Sequence, residues 1–427
     1  MEKYNYQTLK ETLYYEKMSN GLEVYLLKKK GFSKTYGIFA TEFGSIDTTF
    51  IPLNETKMIK VPDGVAHFLE HKMFEMKEGD ASDLFSQLGA STNAFTSSSR
   101  TAYLFSTSAN EIECTKLLLD FVQELYLTDK SIEKEKGIIC QEIQMYDDDP
   151  DWQNYFGAIK NLYHNHPIAI DIAGTCESVR ETTKDDLEKC YHTFYHPSNM
   201  VLFVVGNIEP EQLMPIIVEN QQKKHFEISK EIIRQSIDEP QSIKNKRAVT
   251  HMDVIMPKLT VSIKCPKASN NPQHKIKREL ACNLLLDLYF TKSASTYNNW
   301  LESGLINDTF GAFFMQERDY AFIQIGGDTT KPEQLEEKIY TFIRTLKDSN
   351  LNEEDFTRLK RKTMGNFIVM FNSPESIANL FIKYHFENIS AFRLIEELNN
   401  VCFQDILDVR QLFNESLTST HLVLPLE

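Results

Sequence analysis

A chain of 427 residues exceeds what one ordinary hydrophobic core holds, and a composition of 41% apolar and 25% charged residues with 16 glycines excludes the disordered and fibrous classes. The formal net charge of −15, from 46 Lys and Arg against 61 Asp and Glu, argues against nucleic acid as a partner and favours cationic peptides. Seven scattered cysteines, none in a C-x-x-C pair, point to neither a disulfide framework nor a thiolate metal site; with a charged N-terminus and no apolar run of about 18 residues, a cytoplasmic protein without a membrane span is expected.

Residues 13 to 30 read as a hairpin, with Leu22, Val24 and Leu26 alternating after Asn20-Gly21, a dipeptide that favours a tight primed turn. Tyr36 to Phe43 is the next strand. After the turn signal Pro62, Asp63 and Gly64, with Asp63 placed as N-cap, residues 65 to 74 read V-A-H-F-L-E-H-K-M-F. On a helix, His67 and His71 are four apart and Glu70 is three after His67, so both imidazoles and the carboxylate project from one side. This is H-x-x-E-H, the inverse of H-E-x-x-H: two neutral nitrogen ligands for zinc and a glutamate left as general base for the attacking water. The competing reading is two histidines on an amphipathic helix with no metal, and the rest of the chain must decide between them.

A helix is expected from Ala81 to Leu88, closed by Gly89. Ser91 to Ser106, rich in β-branched, aromatic and hydroxyl residues, is strand-like, and Asn110 to Leu127 has helical spacing through Ile112, Leu117, Leu118, Phe121 and Leu125. The next helix starts at the capping signal Thr128-Asp129 and runs through E-K-E-K-G-I-I-C-Q-E-I-Q-M-Y. Its Glu135 and Glu142, seven residues apart, share a face; a solvated stripe is one reading, but interleaving with Ile138, Ile139 and Ile143 implies partial burial, and a buried carboxylate wants a cation. Asp147 to Asp151 lacks the spacing and glycine of a calcium loop and reads as a helix end. Residues 152 to 164 and 185 to 195 are helical and Met200 to Val205 is a strand. The polar stretch 221–246 then marks a linker between a first unit, 1–220, and a second, 247–427.

The second unit restates the first. A-C-N-L-L-L-D-L-Y-F at 281 to 290 falls opposite V-A-H-F-L-E-H-K-M-F, E-S-G-L at 302 to 305 opposite Q-L-G-A at 87 to 90, and R-K-T-M-G-N-F-I-V-M-F at 361 to 371 opposite K-G-I-I-C-Q-E-I-Q-M-Y. The positions of His67, Glu70 and His71 become Asn283, Leu286 and Asp287, and that of Glu142 becomes Phe367. The apolar framework persists while the polar set is gone, so the polar set is not there to hold the fold.

Taken together, H-F-L-E-H-K-M-F at 67 to 74, G-A-S-T-N-A-F-T at 89 to 96, E-K-G-I-I-C-Q-E at 135 to 142 and Y-H-P-S-N-M at 195 to 200 resemble the pitrilysin/insulysin metallopeptidases, the inverzincins. The similarity spans the chain and is strongest to the short two-repeat branch that includes the mitochondrial processing peptidase and Bacillus-type cytoplasmic members, whose M-Y-D-D-x-P-D-W segment is matched at 145 to 152. The resemblance implies an α+β fold of two homologous repeats, each a largely antiparallel sheet packed with helices, joined by a linker. It implies that His67, His71 and Glu142 bind zinc, that Glu70 is the catalytic base and that Glu135 is a supporting acid. Two imidazoles and one carboxylate would leave a fourth position open, the form used in catalysis. It further implies that Thr92 to Phe105 contains a sheet-edge strand to which a peptide adds, with Asn93, Ala94 and Phe95 as candidate substrate contacts, inside an enclosing chamber that selects by size. Asn93 reads equally well as a turn residue. His164, His166, His192 and His196 are expected to be structural or solvated.

The function expected is a zinc endopeptidase acting on peptides or short unfolded segments; the alternative is a non-catalytic binding or assembly subunit of the same fold. Active relatives add an Arg and a Tyr, seven positions apart, from a C-terminal-type repeat. Aligned on Gly304, those positions hold Asn298 and Leu305, which supply neither a charge nor a hydroxyl, and Arg318 and Tyr320 are only two apart on an expected strand. A heterodimer in which a second chain of this fold supplies the pair is therefore expected.

Overall fold

The computed structural model describes residues 1–228 and 230–426; Ser229, inside the predicted linker, and Glu427, the end of the predicted second unit, lie outside the described residues. The first half forms a seven-stranded sheet from β1 (Glu2–Tyr6), β2 (Glu11–Lys17), β3 (Glu23–Lys28), β4 (Thr35–Thr41), β5 (Ala90–Thr96), β6 (Thr101–Thr107) and β7 (Met200–Gly206). The spatial order is β1-β2-β3-β7-β4-β6-β5, antiparallel throughout except for β3 beside β7. The second half builds five strands, β8 (Arg247–Met252), β9 (Lys258–Lys264), β10 (Gly311–Glu317), β11 (Tyr320–Asp328) and β12 (Thr418–Pro425), in the order β8-β12-β9-β11-β10 with one parallel pair, β8 and β12. Without β1 and β2 the two orders coincide strand for strand, so the fold is α+β and built from two repeats.

The helices repeat as well. The first half carries α1 (Val65–Met73), α2 (Ala81–Gln87), α3 (Glu111–Val122), α4 (Asp129–Asp147), α5 (Pro150–Leu162), α6 (Cys176–Glu181), α7 (Lys184–Phe194) and α8 (Pro210–Gln222). The second carries α9 (Pro272–Phe290), α10 (Ser295–Glu302), α11 (Pro332–Thr345), α12 (Glu353–Met370), α13 (Pro374–His385), α14 (Leu394–Asn400) and α15 (Phe403–Val409). Among the described residues no helix is long and apolar enough to cross a membrane.

Strand β7, M-V-L-F-V-V-G, is buried on both faces, which is why it reads as a continuous apolar run and not as an alternation. Leu202 and Val204 join the core made with α1, α3 and α7, while Val201, Phe203 and Val205 face a core shared with the second half. That second face is covered by α13, whose Phe381 stacks on Phe203 with ring centroids 4.4 Å apart. Reciprocally, α5 of the first half lies on the second sheet against β9 and β12. Asn154 Nδ2 donates to Thr260 Oγ1 at 2.8 Å and the Tyr163 hydroxyl to the Ala321 carbonyl at 3.0 Å. Gly157 permits this approach, since a Cβ there would sit 2.3 Å from the His421 ring. Each sheet is thus closed by a helix that belongs to the other half.

Several local expectations change. The run 91–106 is two antiparallel strands, β5 and β6, joined at Ser97 to Arg100, where Ser97 N donates to the Arg100 carbonyl at 2.8 Å; no Gly or Pro marks this turn. The first hairpin closes over residues 18–22, with Met18 N donating to the Leu22 carbonyl at 2.8 Å, instead of through a two-residue turn. Arg318 sits in the turn between β10 and β11, not on a strand. Its guanidinium Nη2 donates to both Asp47 carboxylate oxygens at 3.0 and 2.9 Å, and Arg234, from the segment between the halves, donates Nε to the same carboxylate at 2.8 Å. Tyr320 is buried, its hydroxyl 2.6 Å from Ser98 Oγ, and Glu317 meets Ser98, Ser99 and Arg100. The β10-β11 turn of the second half therefore docks on the β5-β6 turn of the first.

Candidate metal centre

Helix α1 starts without a side-chain cap. The predicted cap at Asp63 gives way to Gly64 with φ +87, because the 173–174 turn presses on this point: a Cβ on Gly64 would lie 2.2 Å from the Ala173 carbonyl oxygen. Val65, Ala66, Phe68, Leu69 and Met73 sink into the first core, which leaves the face bearing His67, Glu70 and His71 for contacts with α4 and β5.

Helix α4 begins with a reciprocal capping box, in which Thr128 Oγ1 accepts from Ser131 N at 3.1 Å and Ser131 Oγ accepts from Thr128 N at 3.4 Å. Ile132, Ile139 and Ile143 anchor it, whereas Ile138, expected to be buried beside them, is 40% exposed because it lies away from the core-facing stripe. The anchored helix presents Glu135 and Glu142, two turns apart, to α1.

The two faces meet. Glu142 Oε1 lies 3.6 Å from His67 Nε2, Glu142 Oε2 lies 3.3 Å from His71 Nε2, and one ligand-type atom from each of the three residues falls within 4.8 Å of the others. A tetrahedral zinc with bonds of about 2.0–2.1 Å spaces its ligands by about 3.3 Å, so the donor set and its separations fit that ion. On the far side of the ring, His71 Nδ1 is 3.1 Å from Glu135 Oε1, a contact that fixes which nitrogen carries the proton and points Nε2 at Glu142. Hydrogen bonds from His67 and His71 hold the Glu142 carboxyl well below its ordinary range. At His71, burial opposes the charged form, but the bonds to Glu135 and Glu142 outweigh it and push the imidazole up to about 9. Glu135 ends below its usual range because the His71 bond prevails over burial. Glu70 behaves oppositely: burial raises its carboxyl against the pull of His67 and of a hydrogen bond from Thr96.

That bond, Thr96 Oγ1 to Glu70 Oε2 at 2.6 Å, brings in a residue that sequence reasoning missed. The only signal was its place at the end of the hydroxyl-rich A-S-T-N-A-F-T block. Strand β5 is the outermost strand of its sheet, with one row of backbone groups left unpaired by the sheet. Asn93 is exposed in the middle of this strand, not in a turn, and its Oδ1 accepts from Ala94 N at 2.9 Å. Ala94 leans on the core beneath α1, while Phe95 packs against the core shared with the second half.

Among the described residues no other histidine joins the cluster. His166 is buried, accepts from Ile168 N at Nδ1 and is pushed down to about 4 by burial; His196 bridges Ser198 and the Glu227 carbonyl; His164 and His192 lie near the surface. Asn298 is half-buried on α10 and donates to the Lys292 carbonyl, and Leu305 is buried. In the repeated position on α9, Asn283 Oδ1 accepts from Phe314 N at 3.1 Å, a structural bond where the first repeat has His67. The segment 145–152 forms the corner between α4 and α5: Asp149 caps α5, and Tyr146 stacks on Trp152 at 4.7 Å, whose Nε1 donates to Asp171 at 2.6 Å.

Comparison with known proteins adds the following. The family model described as Insulinase (Peptidase family M16) matches residues 54–175, and that described as Peptidase M16 inactive domain matches residues 181–363. The uncharacterized zinc protease YmfH of Bacillus subtilis is 47% identical over 406 residues, covering 95% of each chain. Zinc protease PqqE of Helicobacter pylori is 25% identical over 345 residues, covering 76% of this chain and 74% of that one. Among solved structures, a putative M16-like peptidase from Alicyclobacillus acidocaldarius superposes with a TM-score of 0.93 at 35% identity, covering 97% of this chain and 99% of its own.

Proposed function

Because this chain belongs to peptidase family M16, the insulinase family, we propose that it is a zinc-dependent endopeptidase that cleaves peptides or short unfolded segments. The observation that carries this reading is the convergence of His67, His71 and Glu142 at 3.3–3.6 Å with a second carboxylate, Glu70, its pKa raised by burial, beside them. In it, residues 1–220 form the metal-binding repeat, 221–246 the linker and 247–427 the repeat without a metal site.

His67, His71 and Glu142 would hold the zinc, which when bound polarises the scissile carbonyl and lowers the pKa of the attacking water to about 7. Glu70 takes the proton from that water and returns it to the leaving amine. Thr96 engages one Glu70 oxygen and leaves the other for proton transfer. Glu135, the supporting acid, holds His71 in the tautomer whose Nε2 lone pair faces the ligand set. The substrate would pair with the open edge of β5, with Asn93, Ala94 and Phe95 in contact. Pairing with backbone is largely indifferent to sequence, so selection falls to pockets and to the size of the chamber.

The test is direct. His67→Ala, His71→Ala and Glu142→Gln each leave two protein ligands, so metal analysis of the purified variants is expected to show zinc lost from all three; full occupancy in the His71 variant would sink the ligand assignment. The metal affinity also has a pH signature. With the His71 imidazole pushed up to about 9, the metal-free site holds a proton below that pH, and zinc must displace it. Affinity therefore falls as pH falls, about tenfold per unit between about pH 9 and 7 for one displaced proton. Chelator competition at three pH values measures this slope, and a flat profile contradicts it.

With Asn298 and Leu305 at the positions of the Arg and Tyr, the proposed working enzyme is a heterodimer completed by a second chain of this fold. Turnover of a quenched fluorescent peptide is expected to rise when that partner is added. Full activity from the isolated chain, unchanged by any partner, would remove this part of the proposal.

A further inference from the structure

Two thiols sit where α4, one of the ligand-bearing helices, packs on α6. Cys140 lies in α4, two residues before Glu142, and Cys176 is the first residue of α6. Cys140 Sγ donates to the Cys176 carbonyl at 3.8 Å and Cys176 Sγ to the Cys140 carbonyl at 3.5 Å, so each thiol lies against the other residue's backbone and the two side chains interact. Cys140 is buried, whereas Cys176 is half-buried and within reach of solvent. Just before α6 comes the 173–174 turn on which Gly64, the start of α1, is seated; a Cβ on Gly174 would in turn lie 2.4 Å from the Asp63 carbonyl oxygen. The pair thus connects the helix carrying Glu135 and Glu142 to the support of the helix carrying His67 and His71.

We propose that Cys140 and Cys176 are an oxidation site: they close into a reversible disulfide that weakens metal binding at His67, His71 and Glu142. The first clause stands on the thiol geometry alone; the second rests on the zinc reading above. The oxidant is a low-molecular-weight disulfide. The Cys176 thiolate, the more accessible, attacks one of its sulfurs, forming a mixed disulfide and releasing one small thiol. The Cys140 thiolate then attacks the Cys176 sulfur and releases the second small thiol. Two protons and two electrons leave the cysteines, and the small disulfide is reduced to two thiols. Bond formation brings the sulfurs to about 2.05 Å, which draws α4 towards α6. Glu142, half a turn further along α4, moves with it, and its 3.3–3.6 Å spacing to the histidines is disturbed. Burial pushes the Cys176 thiol up to about 11, so its thiolate is scarce at neutral pH and exchange is best run under mildly alkaline conditions.

The experiment uses the full chain, freed of metal and incubated with oxidised glutathione, followed by intact mass, peptide mapping without reduction, and zinc affinity by chelator competition. Expected are the loss of two hydrogen masses, a linked Cys140–Cys176 peptide, and zinc affinity lowered by about tenfold or more and restored by dithiothreitol. Cys176→Ser abolishes all three effects, Cys140→Ser does the same from the buried side, and Cys402→Ser, at an exposed thiol elsewhere, leaves them intact. Absence of the linked peptide overturns the proposal, as does a linked chain that binds zinc as tightly as the reduced one. A reduced chain that takes up no zinc overturns the metal reading and with it the second clause, while the linked peptide still decides the first.

Discussion

Glu70→Gln is expected to lower kcat for peptide hydrolysis by about 10²–10⁴ while zinc content stays at the wild-type level. The amide keeps the volume of the carboxylate and can still accept from Thr96, so the contact at 2.6 Å survives. What it cannot do is take a proton. Glu70 is not among the three residues whose ligand atoms cluster, so its loss leaves the donor set complete. Parallel metal analysis and turnover separate the two roles, and a variant that hydrolyses at the wild-type rate would show that the base lies elsewhere. Thr96→Val should fall between the two, since it frees the carboxylate without removing it.

Asp47→Asn is expected to destabilise the fold by about 3–5 kcal/mol, the cost of leaving buried charge without its partner. Asp47 is 3% exposed and receives Arg318 from the second half, Arg234 from the intervening segment, and Gly44 N from its own loop. Glu42 stands 3.7–3.8 Å from both guanidinium groups and keeps part of their compensation. Urea unfolding measures the change; a loss under about 1 kcal/mol would mean that these pairs behave like solvent-exposed ones.

Much of the fold was legible because each repeat obeys local rules. The spacing of four in α1 and of seven in α4 put each set of polar residues on one helix face, and the parallel between 281–290 and 65–74 exposed the duplication. Positions set by long-range contact were not legible. Gly64 replaces Asp63 at the start of α1 because the 173–174 turn, more than a hundred residues away, demands it. The β5-β6 turn escaped notice because S-S-S-R has the composition of the strands around it. Arg318 does not fit the missing pair because Tyr320 is only two residues away; what it does instead, binding Asp47 271 positions earlier, no spacing rule could reach. Likewise the spacing within α1 and α4 says nothing of how far apart the two helices stand.

The exchange of α5 and α13 between the sheets bears on how a substrate gains entry. A clamshell that swung its halves about residues 221–246 would have to peel α5 from β9 and β12 and α13 from β4 and β7, exposing the stacked Phe203 and Phe381 and the Asn154 and Tyr163 hydrogen bonds to water. Such a motion is partial unfolding and not a hinge. The chain is in effect a buckled belt, each half fastened through a helix of the other. Any opening onto the β5 edge must therefore come at the rim of the molecule and not by parting its halves.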